Sequence, residues 1–134
     1  MNPLEASLQN LVQDAISAAQ HAYVPYSHYA VGAALMTPEG KVYRGCNVEN
    51  AAYPSCICGE RTALVKAVSE GERAFSVIAV ATQNGGSPCG TCRQMLFEFA
   101  PDLRVLICDF EGTIHHDLSL RQLLHLGFGP EKLG

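Results

Sequence analysis

The chain has 134 residues, 48% of them hydrophobic and 16% charged, enough apolar material for one buried core and too much for a disordered segment. A formal net charge of −4 and the lack of any Lys or Arg run argue against a grip on nucleic acid and for a small-molecule partner. No apolar run reaches the length of a membrane span, so no membrane partner is expected. The first residues, Met1 to Glu5, show neither the basic region nor the apolar core of a signal peptide. Six cysteines in that setting favour thiols and metal over disulfides, and the cytoplasm is the expected compartment.

From Leu4 to about Ala22, apolar residues at Leu4, Leu8, Leu11, Val12, Ala15, Ala19 and Ala22 recur at helical spacing. Pro25 disfavours helical geometry at Val24 and ends that helix. Val31–Met36 reads as a strand, Pro38-Glu39-Gly40 as a turn, and Lys41–Cys46 as the returning strand of a hairpin. Glu60 to about Glu70 is predicted helical, with Gly71 as its stop. Ser76–Thr82 is a β-rich apolar run fit for a central strand, and Gln83–Pro88 is a Gly-rich loop. A helix over Thr91–Ala100 is stopped by Pro101, and Leu103–Cys108 is a further strand. Glu111-Gly112 marks a turn, Ser119 caps a short helix through Leu124, and an irregular tail follows. Strands alternating with helices after a hairpin imply a single α/β domain over residues 1–134. Its expected form is a three-layer α/β/α sandwich with a mixed sheet of about five strands.

Two short stretches carry chemistry: Cys58-Gly59-Glu60-Arg61 and Pro88-Cys89-Gly90-Thr91-Cys92. Thiolates bind zinc readily, and a catalytic zinc site keeps three protein ligands and one open position. Cys58, Cys89 and Cys92 supply three such ligands. Glu60, two residues after Cys58, is too close to ligate beside it yet near enough to exchange a proton with a water held there. C-x-E followed by P-C-x-x-C is the pattern of zinc-dependent deaminases; each half alone is a weak signal, and the pair is a specific one. Cys58 and Cys89 fall where predicted helices begin, and helix N-termini favour negative charge.

Alternatives stand beside several of these residues. A closed, all-cysteine structural site could take Cys56 or Cys46 as a fourth ligand, though it leaves Glu60 without a purpose. Arg61 is either a donor to the cysteine sulfurs, which would withdraw charge from a triply anionic ligand set, or a solvated helix residue. Asn47 and Glu49 alternate at the end of a strand; they suit the hydroxyls of a sugar, but on these residues alone local turn bonding is the plainer reading. The five histidines show no spacing with the cysteine motifs.

Four segments, taken in order, resemble the small homotetrameric zinc-dependent cytidine deaminase family. They are Pro25 to Ala34, Gly45 to Ala51, Cys58 to Arg61 and Ser87 to Gln94, within a likeness that runs from about Tyr23 to Phe128. The resemblance implies hydrolytic deamination of cytidine and 2′-deoxycytidine in pyrimidine salvage, with one zinc ion per subunit. It also implies a homotetramer with shared active sites and a nucleoside as the small-molecule partner. By the same resemblance Cys58, Cys89 and Cys92 are zinc ligands and Glu60 shuttles protons. Asn47 and Glu49 bind ribose, Tyr29 lies against the nucleoside, and the main chain at Ala51, Gly59 and Ser87 contacts the base and the leaving ammonia. Phe128 stacks on the pyrimidine of a neighbouring subunit. Tyr29 stands where the family usually has Phe, and Gly59 where it more often has Ala. Rival functions are deamination of a nucleoside analogue of the blasticidin type or of free cytosine, editing of a polynucleotide, and a non-catalytic zinc-stabilised binding module.

Overall fold

A computed structural model describes residues 3–133, with side chains from Ala6 onward. Helix α1 spans Pro3–Ala19, strands β1 and β2 span Gly32–Met36 and Val42–Cys46, and α2 spans Gly59–Ser69. Strand β3 (Val77–Thr82) leads through a loop to α3 (Gly90–Phe99), and β4 (Arg104–Asp109) and β5 (Ile114–Ser119) precede the short helix α4 (Leu120–Leu123). Single 3-10 turns lie at Tyr53–Ser55 and Pro130–Lys132. Among the described residues no helix is long and apolar enough to cross a membrane.

The strands form one sheet in the order β2-β1-β3-β4-β5. Only the β3–β4 pair is parallel, so α3 is the crossover between them. The β1–β2 hairpin turns at Thr37–Gly40, where Gly40 adopts a φ of +92° that a side chain would resist. Thr37 Oγ1 accepts from the Lys41 amide and closes the turn.

Side chains alternate along each strand, and each parity meets a different layer. Ala34, Val77, Ala79, Ala81, Leu106 and Cys108 face α1, where Leu11, Val12 and Ala15 cover them. The other parity, including Leu35, Ile78, Val80, Val105 and Ile107, packs on Leu64 of α2 and on Leu96 and Phe97 of α3. The expected three-layer sandwich with a five-stranded mixed sheet is therefore the observed fold. Leu4, the first position of the expected α1 stripe, lies outside the described side chains; the helix itself stops at Ala19.

Sequence reading found four of the strands and passed over the fifth. Ile114-His115-His116-Asp117 is exposed along its length and edges the sheet, so it shows neither the alternation of a half-buried strand nor an apolar run. The cap at Ser119 is present, its hydroxyl accepting from the Gln122 amide while Gln122 Oε1 accepts from the Ser119 amide in return.

Candidate active site

Helices α2 and α3 bring the two cysteine stretches together by their N-termini. Cys58 is the N-cap of α2 and Cys89 the N-cap of α3, both extended in backbone. Cys89 Sγ accepts from the Cys92 amide at 3.4 Å, so the first turn of α3 holds its own two cysteines in place. The Sγ atoms of Cys58, Cys89 and Cys92 all lie within 4.8 Å of one another, with Cys58–Cys89 at 3.7 Å and Cys89–Cys92 at 3.3 Å. Tetrahedral zinc with Zn–S bonds of about 2.3 Å requires sulfurs about 3.8 Å apart, so this trio fits the ion. Cys56 stands apart from the trio, its Sγ 3.3 Å from the Asn50 amide, and among the described residues no fourth such ligand joins the group.

Glu60 sits in the first turn of α2 and is only 4% exposed. Burial pushes its carboxyl up to about 7, its own backbone N–H opposes that, and the neighbouring Cys58 adds to it. The Cys58 thiol is drawn down to about 5, first by a hydrogen bond from Cys92 and then by Arg61 and Cys89. Cys92 is pushed the other way, by that same bond to Cys58 and by burial. Arg61 Nη2 lies 3.4 Å from Cys58 Sγ and 3.3 Å from the Cys56 carbonyl, while its buried Nε has no partner.

A cavity of about 240 Å³ opens beside the trio. Asn47, Glu49, Cys58, Glu60, Ser87 and Cys89 are among the residues that line it. Asn47 is partly occupied already: Oδ1 accepts from the Val31 amide at 2.9 Å and Nδ2 donates to the Tyr29 carbonyl at 2.8 Å. Glu49 Oε1 accepts from the Tyr26 and Ser27 amides at 3.0 and 3.1 Å. The Ser27 hydroxyl, with those amides, holds the Glu49 carboxyl below its ordinary value and therefore ionised. Local bonding and presentation to the cavity are thus both built into this pair.

Tyr29, Ala51 and Phe128 lie off the cavity lining. The Tyr29 hydroxyl donates to Asn84 Oδ1 at 2.6 Å, Ala51 is exposed in the bend before the first 3-10 turn, and Phe128 is 56% exposed on the tail. Gly59 packs tightly: a Cβ there would stand 3.0 Å from the Val31 carbonyl oxygen, which explains how the chain accommodates glycine at this position.

Two residues directly after the second stretch received no role from sequence. Arg93 donates from Nε to the Pro88 carbonyl, from Nη1 to the Leu123 carbonyl and from Nη2 to Ser87 Oγ, at 2.8, 2.8 and 2.9 Å. Gln94 Nε2 donates to the Phe128 carbonyl at 2.8 Å and ties down the tail. The rigid five-donor fork of an arginine directly after a ligating cysteine was the available signal.

Residues 5–108 match the family model described as the cytidine and deoxycytidylate deaminase zinc-binding region. A cytidine deaminase of Sporosarcina psychrophila is 42% identical, the match covering 94% of each chain; one of Halalkalibacterium halodurans is 44% identical over 93% of this chain and 96% of that relative. The crystal structure of cytidine deaminase from Burkholderia pseudomallei superposes with a TM-score of 0.85 at 42% identity, covering 96% of this chain and all of that one. With three thiols at zinc spacing and a buried carboxyl beside them, the chain belongs to the zinc-binding cytidine and deoxycytidylate deaminase family.

Proposed function

We propose that the protein hydrolyses cytidine and 2′-deoxycytidine to the corresponding uridines with release of ammonia, as one catalytic domain per chain. The observation that carries this reading is the buried Glu60 carboxyl in the same cavity as Cys58, Cys89 and the Asn47–Glu49 pair, with Cys92 completing the thiol trio. Cys58, Cys89 and Cys92 would hold the zinc, which when bound supplies a Lewis acid able to activate water near neutral pH. Glu60 takes a proton from the attacking water at its carboxylate as the water oxygen bonds to C4 of the pyrimidine. It returns that proton to ring N3, and a further proton transfer lets the C4–N4 bond break with ammonia leaving. Asn47 Nδ2 and Glu49 Oε2 offer a donor and an acceptor to the ribose hydroxyls, and the Ser87 segment walls in the base. Arg61 withdraws charge from Cys58.

A homotetramer in the cytoplasm, serving pyrimidine salvage, belongs to the same reading. Support for the assembly is exposed apolar surface: Ile57, which lines the cavity, at 42%, and Tyr26 and Tyr53 packed edge to face at 48% and 69% exposed. Phe128, also exposed, is a wall for a neighbouring subunit's cavity in such an assembly. Sedimentation at micromolar concentration should give a single species larger than the 14.4 kDa monomer; an active monomer would overturn the shared-site arrangement.

The deciding experiment is turnover of cytidine, deoxycytidine and free cytosine by wild type and Glu60→Gln, with zinc assayed on both. Glu60→Gln should keep its zinc and lose about 10²- to 10⁴-fold in kcat, the scale of general acid–base catalysis. Free cytosine, which cannot engage Asn47 and Glu49, should be the poorest of the three. Full turnover by Glu60→Gln would remove the mechanism. A zinc-loaded wild type inert on all three would turn attention to nucleoside analogues or a binding module.

A further inference from the structure

We propose that the Tyr29 hydroxyl is a positioning group: it fastens the Gly-rich loop after β3 so that the Ser87 wall of the cavity is already formed before substrate arrives. The functional consequence rests on the nucleoside reading above; the fastening itself does not.

The loop runs from Gln83 to Ser87 and reads Gln-Asn-Gly-Gly-Ser, a stretch with little intrinsic preference for one conformation. Gly85 adopts a φ of +75°. Tyr29 Oη donates to Asn84 Oδ1 at 2.6 Å, joining segments 55 positions apart. The same hydroxyl lies against the loop backbone, since a Cβ added at Gly86 would stand 2.6 Å from it. Within the loop the Gly86 amide donates to Thr82 Oγ1 at 2.8 Å, and beyond it Arg93 holds Ser87 Oγ. Tyr29 therefore ties the middle of the loop to the rest of the domain by a side-chain hydrogen bond, beside the His115 ring that packs against Gly85. Its own carbonyl accepts from Asn47 Nδ2, so one residue bonds both to Asn47, which lines the cavity, and to the loop that leads into Ser87, which also lines it.

A loop of this composition loses much conformational entropy when ordered. If it samples open forms, the apparent affinity for substrate falls in proportion to the population that is closed. Fastening it in the free protein removes that loss and leaves the chemistry at Glu60 untouched, so the effect belongs in KM and not in kcat.

Tyr29→Phe keeps the ring and deletes the donor. With the zinc-loaded variant, KM for cytidine should rise about 3- to 10-fold, the worth of one ordinary hydrogen bond, with kcat within about 2-fold of wild type. Amide hydrogen exchange across 84–87, Gly86 included, should quicken by a similar factor. Asn84→Ala should reproduce both changes, and the double variant should be no worse than either single one, because both delete the same contact. Wild-type KM and wild-type exchange in Tyr29→Phe would overturn the proposal, as would additive losses in the double variant. Were the wild type inert on cytidine, the nucleoside reading would fall. The exchange rates and the double-variant comparison, taken on zinc-loaded protein without substrate, still decide whether Tyr29 fastens the loop.

Discussion

The two faces of the sheet are filled by different means. Under α1 the packing is close and small: Ala34, Ala79 and Ala81 of the strands meet Ala15 of the helix, and Gly32 admits α1 so near that an added Cβ would stand 1.9 Å from the Ala15 carbonyl oxygen. Under α2 and α3 the residues are larger, with Leu35, Ile78, Leu64, Leu96 and Phe97 filling the space. Only the second face carries chemistry. Its two helices start side by side at one edge of the layer, and each presents its N-cap cysteine there. The α1 face holds the sheet to a fixed shape, and the α2/α3 face uses that shape to bring two helix N-termini together. Stability and catalysis should therefore separate by face when each is perturbed.

The severest test of that separation is Gly32→Ala. Its Cβ meets backbone and not a flexible side-chain tip, so α1 has to move bodily. The expected cost is about 3 kcal/mol or more, at the upper end for overpacking. Denaturant unfolding of the zinc-loaded protein measures it. The fraction that remains folded should turn over cytidine at close to the wild-type rate; a folded but inactive variant would show that the α1 face shapes the site directly.

A second test isolates the electrostatic strain on the catalytic face. Glu60 titrates near 7 in the metal-free fold against an ordinary 4.5, because burial disfavours its ionised form. A carboxyl whose folded value is raised is tolerated best while protonated. Its contribution is fully present below pH 4.5 and lost as pH rises through 7. Metal-free wild type should therefore lose on the order of 3 kcal/mol relative to metal-free Glu60→Gln between those limits, and the two curves should run parallel outside them. Parallel curves throughout would mean that the carboxyl is hydrated in the apo fold.

How much of this was legible beforehand follows from how local each signal is. Helices α1 to α3 and strands β1 to β4 announce themselves by apolar period and by Gly and Pro at their ends, because each buries a face. Strand β5 buries almost nothing and exists by pairing with β4, so a pattern of burial could not reveal it. The zinc ligands and Glu60 were readable because their spacing lies within single helix N-termini: Cys89 and Cys92 are one turn apart, and Glu60 lies just inside the cap at Cys58. The dual use of Asn47 and Glu49, as anchors for the 26–31 segment and as cavity wall, was not readable, since it depends on where the preceding loop folds back. The Tyr29–Asn84 bond is more remote still, a contact between two loops that only the assembled sheet brings within reach.

The finest discrimination comes from matched truncations, Leu11→Ala on one face and Leu64→Ala on the other. Both side chains are essentially fully buried, and each truncation should destabilise by about 3 kcal/mol through lost transfer energy and a residual cavity. Their stability effects should thus be nearly equal. Their catalytic effects should not be. Leu64 lies one helical turn beyond Glu60 in α2, so a cavity beneath it lets the first turns of that helix settle toward the core. A displacement of a few tenths of an ångström in a proton-transferring carboxyl is expected to cost about 10-fold in kcat, a fraction of the hundredfold that a full ångström can cost. Leu11 lies in α1, none of whose residues lines the cavity, and its truncation should leave kcat within about 2-fold once the comparison is made per folded, zinc-loaded molecule. Equal kcat losses from the two would show that the sheet transmits packing defects from one layer to the other, and that the division of labour between its faces is one of composition alone.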